Sequence, residues 1–249
     1  MTISVLPSNA ILYEDNHCLV VNKPSRLLTV GDQTQDVNLL DLAKEYLKQK
    51  YNKPGDVFLG VVHRLDRPVS GVVLFARTSK AASRLADQFR TRTMQKVYWT
   101  CVSGTVEPQA GTLEDWLLKD REDNFTTVVQ PDSPGAKPCR LSYQRLASWG
   151  NSTLLEILPE TGRSHQIRVQ LAARGWSILG DRKYGSQESG GGSIALHAVQ
   201  LTFQHPTLQR PIVVNVPPPD AWQEWNPHIG EEFTRHFSSA PADSGIQAD

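Results

Sequence analysis

The sequence predicts an α+β fold, in which a single domain is built on a large mixed, mostly antiparallel β-sheet flanked by helices and loops. More segments show the alternation of apolar and polar residues that is typical of strands than show the apolar spacing of helices. Most neighbouring strands are separated by short turns, which typically join antiparallel partners. The chain of 249 residues is long enough for one large domain, and neither a repeat nor a clean linker divides it.

The first predicted elements are two short strands around a turn, between residues 11 and 21. Two amphipathic helices follow, over 38–50 and 79–90, and each places its apolar side chains on one face. Asn38 and Ser79 are residue types that cap helix N-termini, so we expect these helices to begin there.

The central stretch HRLDRPVSG lies between two apolar strands, 58–62 and 72–76. Its loop places two arginines, Arg64 and Arg67, around Asp66, so the carboxylate is expected to stay ionised and hydrogen-bonded. Such a carboxylate can act as a nucleophile or a base. Judged from the residues alone, a structural ion pair is the stronger interpretation, because ion pairs at turns are common.

The second half is predicted to be mainly strands, over 95–103, 140–147, 153–158, 194–203 and 211–216. Residues 105–140 are expected to form short strands and loops. A helix is predicted over 164–174, with Ser164 as its cap. Residues 229–249 are expected to be a polar tail, which leaves 9–228 as the folded domain.

A second dense polar cluster opens the predicted helix at 164–174, where Arg163, His165, Gln166 and Arg168 stand close together. Helix N-termini favour anions, and arginines strengthen that preference. The cluster therefore indicates a place for phosphate or carboxylate groups.

The composition excludes several classes of protein. Lysine and arginine together number 26, as do aspartate and glutamate, so the formal net charge is zero. This balance argues against a protein that binds nucleic acid through an overall positive charge. The stretch 64–96 is locally basic, with eight basic and two acidic residues. No apolar run is long enough to span a membrane, and the N-terminus does not have the pattern of a secretory signal. The three cysteines show neither metal-ligand nor disulfide spacing, so we expect a cytoplasmic protein without a metal.

Five motifs, in the same order as in that family, resemble those of the RluA-type pseudouridine synthases, over roughly residues 9 to 216. They are ILYEDNHCLVVNKPS, HRLDRPVSG, QKVYWT, TGRSHQIRVQLAARGWSILGDRKYG and IALHA. The resemblance departs at Val69, where threonine is usual, and at Gln170, where histidine is common. It also begins near residue 9, so no N-terminal S4 RNA-binding module is expected.

The resemblance implies the pseudouridine synthase fold and an enzyme that isomerises uridine in ribosomal or transfer RNA. It implies Asp66 as the essential carboxylate, Tyr98 as the residue that stacks on the base and Arg168 as the partner of Asp66. Leu196 matches an apolar residue of the pocket wall. The reaction rearranges atoms without outside electrons, so no cofactor is expected. The target base must leave its stack, which implies nucleotide flipping.

The candidate phosphate contacts are four cations, Arg64, Arg67, Lys96 and Arg163, for each of which a solvated or structural role has comparable weight. His63 is expected to be a packed structural residue. RNA is the expected partner, membranes are not, and a monomer is expected. One alternative is a non-catalytic RNA-binding protein with the same fold. Another is an unrelated hydrolase that uses Asp66 with His63 or His165, although no serine or cysteine nucleophile motif supports it.

Overall fold

The computed structural model describes residues 6–187 and 191–237 and confirms the α+β class. The strands are β1 Ile11–Glu14, β2 Cys18–Lys23, β3 Gly60–Val61, β4 Ser70–Ala76, β5 Gln95–Ser103, β6 Ala110–Asp120, β7 Phe125–Val129, β8 Lys137–Trp149, β9 Ser152–Pro159, β10 Leu196–Gln204 and β11 Pro211–Asn215. The helices are α1 Leu39–Lys50, α2 Ser79–Arg90, α3 Gln166–Ala172 and α4 Ile229–Phe237. None of these helices is both long and apolar enough to cross a bilayer.

The chain forms two compact units, and each draws on separate stretches of sequence. The first contains the residues up to Gln95, then 198–218 and the residues from Gly230 onward. The second contains 96–197 and 219–229. The expected domain boundaries at 9 and 228 do not coincide with this division and stay a prediction.

In the first unit, β2 pairs antiparallel with β1 on one side and with β4 on the other. Every residue of β4 is buried, as expected for an apolar strand covered on both faces. The apolar face of α2 packs onto this sheet through Leu85, beside Val20, Leu74 and Phe203. This core holds both ends of the loop that joins β3 to β4.

The caps of the two helices were predicted with one error. Asn38 caps α1, because its side chain accepts the backbone N–H of Asp41 at 3.1 Å. The cap of α2 is Thr78 rather than Ser79, and its hydroxyl accepts the N–H of Ala81 at 3.1 Å. Thr78 has the extended backbone that an N-cap requires, so the hydroxyl one residue earlier takes the role.

Gly71 lies in β4, directly after the central loop, with a φ of +117°. A Cβ atom at this position would overlap the backbone of Ala198 in β10. Both the conformation and the close approach of two backbones therefore require glycine here.

In the second unit the strand order is β5–β9–β8–β6–β7, with antiparallel pairing throughout this series. Over 105–140, where short strands and loops were predicted, β7 is short, but β6 is a long strand of 11 residues. Strand β8, of 13 residues, extends the strand predicted over 140–147 at both ends. Charged residues stand at adjacent positions of β6, at Glu114 and Asp115 and at Lys119 and Asp120, so they fall on both faces and hide the alternation that would otherwise mark a long strand.

Two helices begin where the sequence did not predict them. Helix α3 starts at Gln166, because His165 takes a left-handed conformation (φ 54°, ψ 18°) that interrupts the predicted start at Ser164. Helix α4 forms over Ile229–Phe237, inside the predicted tail, and its apolar residue Ile229 is buried. The rest of the predicted tail, 238–249, lies outside the described residues.

Candidate active site

Hydrogen bonds to its backbone fix the loop that carries Asp66, on both sides of that residue. The buried hydroxyl of Thr29 donates to the Leu65 carbonyl at 2.8 Å, and the Leu65 N–H donates to the same hydroxyl oxygen at 3.2 Å. The Val69 N–H then donates to the Asp66 carbonyl at 3.0 Å and closes a tight turn. The Asp66 side chain is half-buried. A carboxylate in this setting is oriented and still accessible to a substrate.

Lys23 supports the same loop, although the sequence predicted no role for it and lysines are usually solvated. Its side chain is completely buried at the end of β2. The Nζ atom donates to the carbonyl oxygens of Leu27, Pro24 and Arg67 at 2.7, 3.0 and 3.3 Å. Burial lowers the pKa of Lys23 to about 7, although the negative charge of Asp66 acts in the opposite direction. Its place at the end of a strand of apolar residues was the one available signal.

The two arginines of the loop differ in their surroundings. Both are exposed. Arg67 forms an ion pair with Asp36 at 2.8 Å, and its Nε donates to the Arg26 carbonyl at 3.2 Å. Within the described parts of the chain, Arg64 makes no hydrogen bond or ion pair. Arg64 is therefore better suited than Arg67 to meet a phosphate.

His63 has a structural setting. Its Nε2 accepts the backbone N–H of Leu74 at 2.8 Å, and its ring stacks on Phe89 at a centroid distance of 4.8 Å. A ring nitrogen that accepts a backbone N–H in a neutral imidazole cannot simultaneously carry a proton. The geometry favours the packed role predicted for this histidine over a role as a general base.

In the second unit, Tyr98 lies on β5 opposite Ile157 of β9, and its side chain is half-buried. Lys96, two residues before Tyr98, lies on the same face of the strand, because side chains alternate between the two faces. The Lys96 Nζ lies 3.9 Å from where a Cβ atom on Gly162 would stand. Lys96 thus reaches the segment that carries Arg163, another predicted phosphate contact, whose Nε donates to the Pro138 carbonyl at 3.2 Å.

The segment before β10 is held against β5 around the Ala195 carbonyl. That oxygen accepts the Cys101 N–H at 3.0 Å and the Thr100 hydroxyl at 2.7 Å. The Ala195 N–H donates to the Leu179 carbonyl at 2.9 Å, and the Leu179 N–H donates to the Cys101 carbonyl at 3.0 Å. Leu196, the predicted wall residue, follows directly and is buried. Tyr98 and Leu196 therefore belong to one hydrogen-bonded framework.

Arg168 lies in α3 and forms a buried ion pair with Asp181. Its Nε donates to Oδ2 at 2.7 Å and its Nη2 to Oδ1 at 2.8 Å. Its guanidinium carbon stands 4.9 Å from the ring centre of Tyr184. The sequence predicted no role for Asp181 or Tyr184. The predicted pairing of Arg168 with Asp66 joins residues of different units and stays a prediction.

A group of potential metal ligands, Asp15, Cys18 and His205, lies in the first unit, with ligand atoms within 4.8 Å of one another. The His205 Nδ1 accepts the Leu208 N–H at 2.9 Å, so Nε2 carries the proton and donates to Asp15 at 2.5 Å. The other Asp15 contacts are the Tyr13 hydroxyl and backbone N–H groups. A metal-binding histidine needs the opposite arrangement, with its second nitrogen donating. The group fits a hydrogen-bond network rather than a metal.

Comparison with known proteins gives a family match over residues 17–173, to the model described as RNA pseudouridylate synthase. The dual-specificity RNA pseudouridine synthase RluA of Pasteurella multocida is 37% identical over 212 residues, which cover 84% of this chain and 92% of that protein. The ribosomal large subunit pseudouridine synthase C of Vibrio vulnificus is 32% identical over 214 residues. Those residues are 83% of this chain and only 65% of the Vibrio protein.

Solved structures give the same similarity. The chain resembles human RNA pseudouridylate synthase domain containing 4 with a TM-score of 0.71 and 26% identity, over 93% of this chain and 94% of that one. Human RNA pseudouridylate synthase domain containing 1 matches with a TM-score of 0.64 and 25% identity, over 84% and 83% of the two chains.

Proposed function

The chain belongs to the RNA pseudouridylate synthase family of RNA-modifying isomerases, as an RluA-type member, and we propose that it converts specific uridines of ribosomal or transfer RNA to pseudouridine. In this reaction the bond between C1′ and N1 breaks, the uracil rotates, and C5 bonds to C1′. N1 then holds a hydrogen, and C5 loses its own. The proton that C5 loses to solvent is balanced by the proton that N1 gains from solvent, and no electrons are supplied from outside, so the reaction needs no cofactor.

The observation that carries the proposal is the Asp66 loop, HRLDR, between β3 and β4. Its backbone is clamped by Thr29 and by the turn at Val69, while the carboxylate keeps partial exposure. A reacting group held on such a rigid support loses little freedom in the transition state. We assign Asp66 the essential carboxylate role, either as a nucleophile or in removal of a ribose proton.

The other roles are distributed over the second unit and the rim of the Asp66 loop. We assign to Tyr98 the stacking on the flipped uracil, to Leu196 the apolar wall and to Arg168 the stabilisation of the Asp66 carboxylate. Phosphate contacts are assigned to Arg64, Lys96 and Arg163, and to a smaller extent to Arg67. The nucleotide must leave its stack to react, which is easiest in a loop or bulge.

We place the catalytic domain within residues 9–228 and expect a monomer to suffice, because the proposed reacting and phosphate-binding groups all come from one chain. The proposed RNA substrates would place the protein in the cytoplasm.

The test is release of tritium from RNA labelled at C5 of uridine, because C5 must lose its hydrogen in the product. The RNA comes from cells that lack this gene and is fractionated into ribosomal and transfer pools. Wild-type protein is expected to release tritium from one or both pools. Asp66→Asn is expected to release none while binding RNA within about 3-fold of wild type and keeping its melting temperature.

Two outcomes would contradict the proposal. Binding of both pools by wild type without tritium release would favour the non-catalytic RNA-binding alternative. Loss of folding in Asp66→Asn would show that the residue is structural, as the interpretation from the residues alone suggested.

A further inference from the structure

We propose that Asp181 and Tyr184 are positioning residues that fix the orientation of the Arg168 guanidinium, Asp181 at its edge and Tyr184 at its face. The inference rests on the proposed function, in which Arg168 stabilises the Asp66 carboxylate. Asp181 and Tyr184 are not assigned contact with the RNA. They act on the reaction through Arg168 alone.

The edge contact is a bidentate ion pair. Nε and Nη2 of Arg168 donate to the two carboxylate oxygens of Asp181 at 2.7 and 2.8 Å. The side chains are 6% and 1% exposed, so water does not compete for these donors. Two parallel hydrogen bonds define the plane of a guanidinium as well as its position.

The face contact fixes the remaining freedom. The Arg168 guanidinium carbon lies 4.9 Å from the centre of the Tyr184 ring. That ring is itself held, because its hydroxyl accepts the Thr126 N–H at 3.0 Å and meets the His165 Nδ1 at 2.8 Å. Phe125 stacks on it at a centroid distance of 4.8 Å. The guanidinium cannot rotate about its two hydrogen bonds to Asp181 without displacing the packed ring of Tyr184.

The support of Asp181 continues to the strand that carries Tyr98. The Ser186 N–H donates to the Asp181 carbonyl at 3.0 Å, which closes the turn around the carboxylate. Two residues before Asp181, Leu179 is hydrogen-bonded to Cys101 of β5 at 3.0 Å. Hydrogen bonds through Asp181 and Leu179 therefore connect Arg168 to the strand that carries Tyr98. Two residues that act at one reaction site need such a fixed connection.

Stability alone explains the pair poorly. Desolvation of two charges can exceed their attraction, and well-packed apolar residues often replace buried ion pairs without loss of stability. The helix α3 already buries Ile167, Val169 and Leu171. A buried arginine at position 168 is therefore better explained by a need for a fixed positive charge than by a need for folding energy.

The chain provides a matched control in a second Arg–Asp pair of the same unit. Arg174, just after α3, pairs with Asp115 at 2.6 Å, and the Asp115 side chain is 9% exposed. Asp115→Asn removes a carboxylate from an arginine as Asp181→Asn does. It leaves the edge and the face of Arg168 untouched.

The experiment measures kcat and KM by C5 tritium release, together with the melting temperature, for wild type, Asp181→Asn and Asp115→Asn. We expect Asp181→Asn to lower kcat by about 10- to 100-fold, as loss of an orienting partner commonly does. Its KM for RNA should stay within about 3-fold of wild type. Asp115→Asn should keep the wild-type kcat, whatever its melting temperature.

A double-mutant cycle separates positioning from a general structural effect. In an Arg168→Lys background the bidentate edge is already lost, so adding Asp181→Asn should change kcat by less than about 3-fold. If the losses multiply instead, Asp181 does not act through Arg168 and the inference is wrong. Wild-type kcat in Asp181→Asn would also overturn it.

Tyr184 decides the question if Asp181→Asn does not fold. Tyr184→Phe keeps the ring and should stay within about 3-fold of wild-type kcat, whereas Tyr184→Leu should lose about 10-fold or more at unchanged KM. Equal kcat values for these two variants would overturn the inference. Failure of the proposed function is a different result, because wild type itself would then release no tritium.

Discussion

The buried Nζ atom of Lys23 donates to the Arg67 carbonyl over 3.3 Å and so joins the end of β2 to the loop that carries Asp66. The two residues are 44 positions apart in the sequence. The same nitrogen holds the Pro24 and Leu27 carbonyls, so one side chain organises the backbone on both sides of the contact. This is the only lysine among the described residues that is fully buried.

Lys23 should make stability depend on pH. Burial lowers its pKa in the folded protein to about 7, while an unfolded lysine has a pKa of about 10.4. Between these values the unfolded chain binds the extra proton, so the free energy of unfolding should rise with pH, by at most about 1.4 kcal/mol per pH unit. Urea unfolding of wild type and Lys23→Met at pH 7, 8.5 and 10 measures this effect.

The difference between the two proteins is the informative quantity in that experiment. Burial raises the pKa of the Cys18 and Cys101 thiols, so both proteins lose stability above about pH 8.5 for a separate reason. As pH rises, the free energy of unfolding of Lys23→Met should therefore increase less, or decrease more steeply, than that of wild type. Parallel pH curves for the two proteins would contradict the prediction.

His63 should matter for stability and not for the chemical step. Replacement by Leu leaves the Leu74 N–H in β4 without its acceptor, at a cost of about 1–3 kcal/mol. The folded variant should keep its turnover rate within about 3-fold of wild type, as measured by C5 tritium release. His63→Gln, which retains an acceptor, is the control and should recover part of the stability. A turnover rate lowered about 100-fold at unchanged stability would show instead that His63 takes part in the chemical step.

Arg64 and Arg67 should differ in their effect on RNA binding. Arg64→Gln should weaken affinity and reduce the slope of log K against log salt by about 0.7–0.9, the change expected for one lost phosphate contact. Arg67→Gln should change the slope less, because Asp36 and the Arg26 carbonyl already engage that guanidinium. Binding titrations at four salt concentrations measure both slopes. Equal changes would show that Arg67 leaves its ion pair to bind RNA.

Glu14 should be a major stabilising residue of the first unit. Its carboxylate accepts hydrogen bonds from Tyr46 at 2.9 Å, Lys50 at 2.8 Å, Tyr51 at 2.5 Å and Arg77 at 3.2 Å. Glu14→Gln should lower the free energy of unfolding by about 2 kcal/mol, because these donors lose a charged acceptor.

The control for Glu14 is Glu45→Gln on exposed helix surface, with an expected change below about 0.5 kcal/mol. Burial alone would raise the pKa of Glu14, but its hydrogen bonds outweigh burial and lower it. The stabilisation should therefore be present above about pH 4.3 and disappear as pH falls further. Urea unfolding at pH 7 and pH 3.5 checks both statements. A Glu14→Gln variant as stable as Glu45→Gln would contradict them.

Local signals in the sequence predicted the parts of the fold that depend on neighbouring residues. The apolar runs of β2 and β4 and the cap at Asn38 could be recognised because their causes lie within a few positions. The start of α3 was not recognised, because His165 takes a left-handed backbone there and its ring meets the hydroxyl of Tyr184, 19 positions away. Nothing near position 165 encodes that contact.

The site shows the same division. The Asp66 loop was predicted as a polar loop between two strands, and it is one. The partner of Arg168 in the second unit was missed, because Asp181 lies 13 positions away in a turn rather than on the helix face. Lys23 was missed because lysines are rarely buried, and only tertiary structure supplies the three carbonyl acceptors that make burial possible.

Gly71 also constrains how this protein could be changed. Because two backbones meet where its side chain would stand, every substitution at position 71 would push β4 away from Ala198. A randomised library across the Asp66 loop should therefore recover glycine alone at this position, while its neighbour Val72 accepts other aliphatic residues. Directed evolution of a new RNA preference would have to vary the exposed positions of the loop and keep Gly71 unchanged.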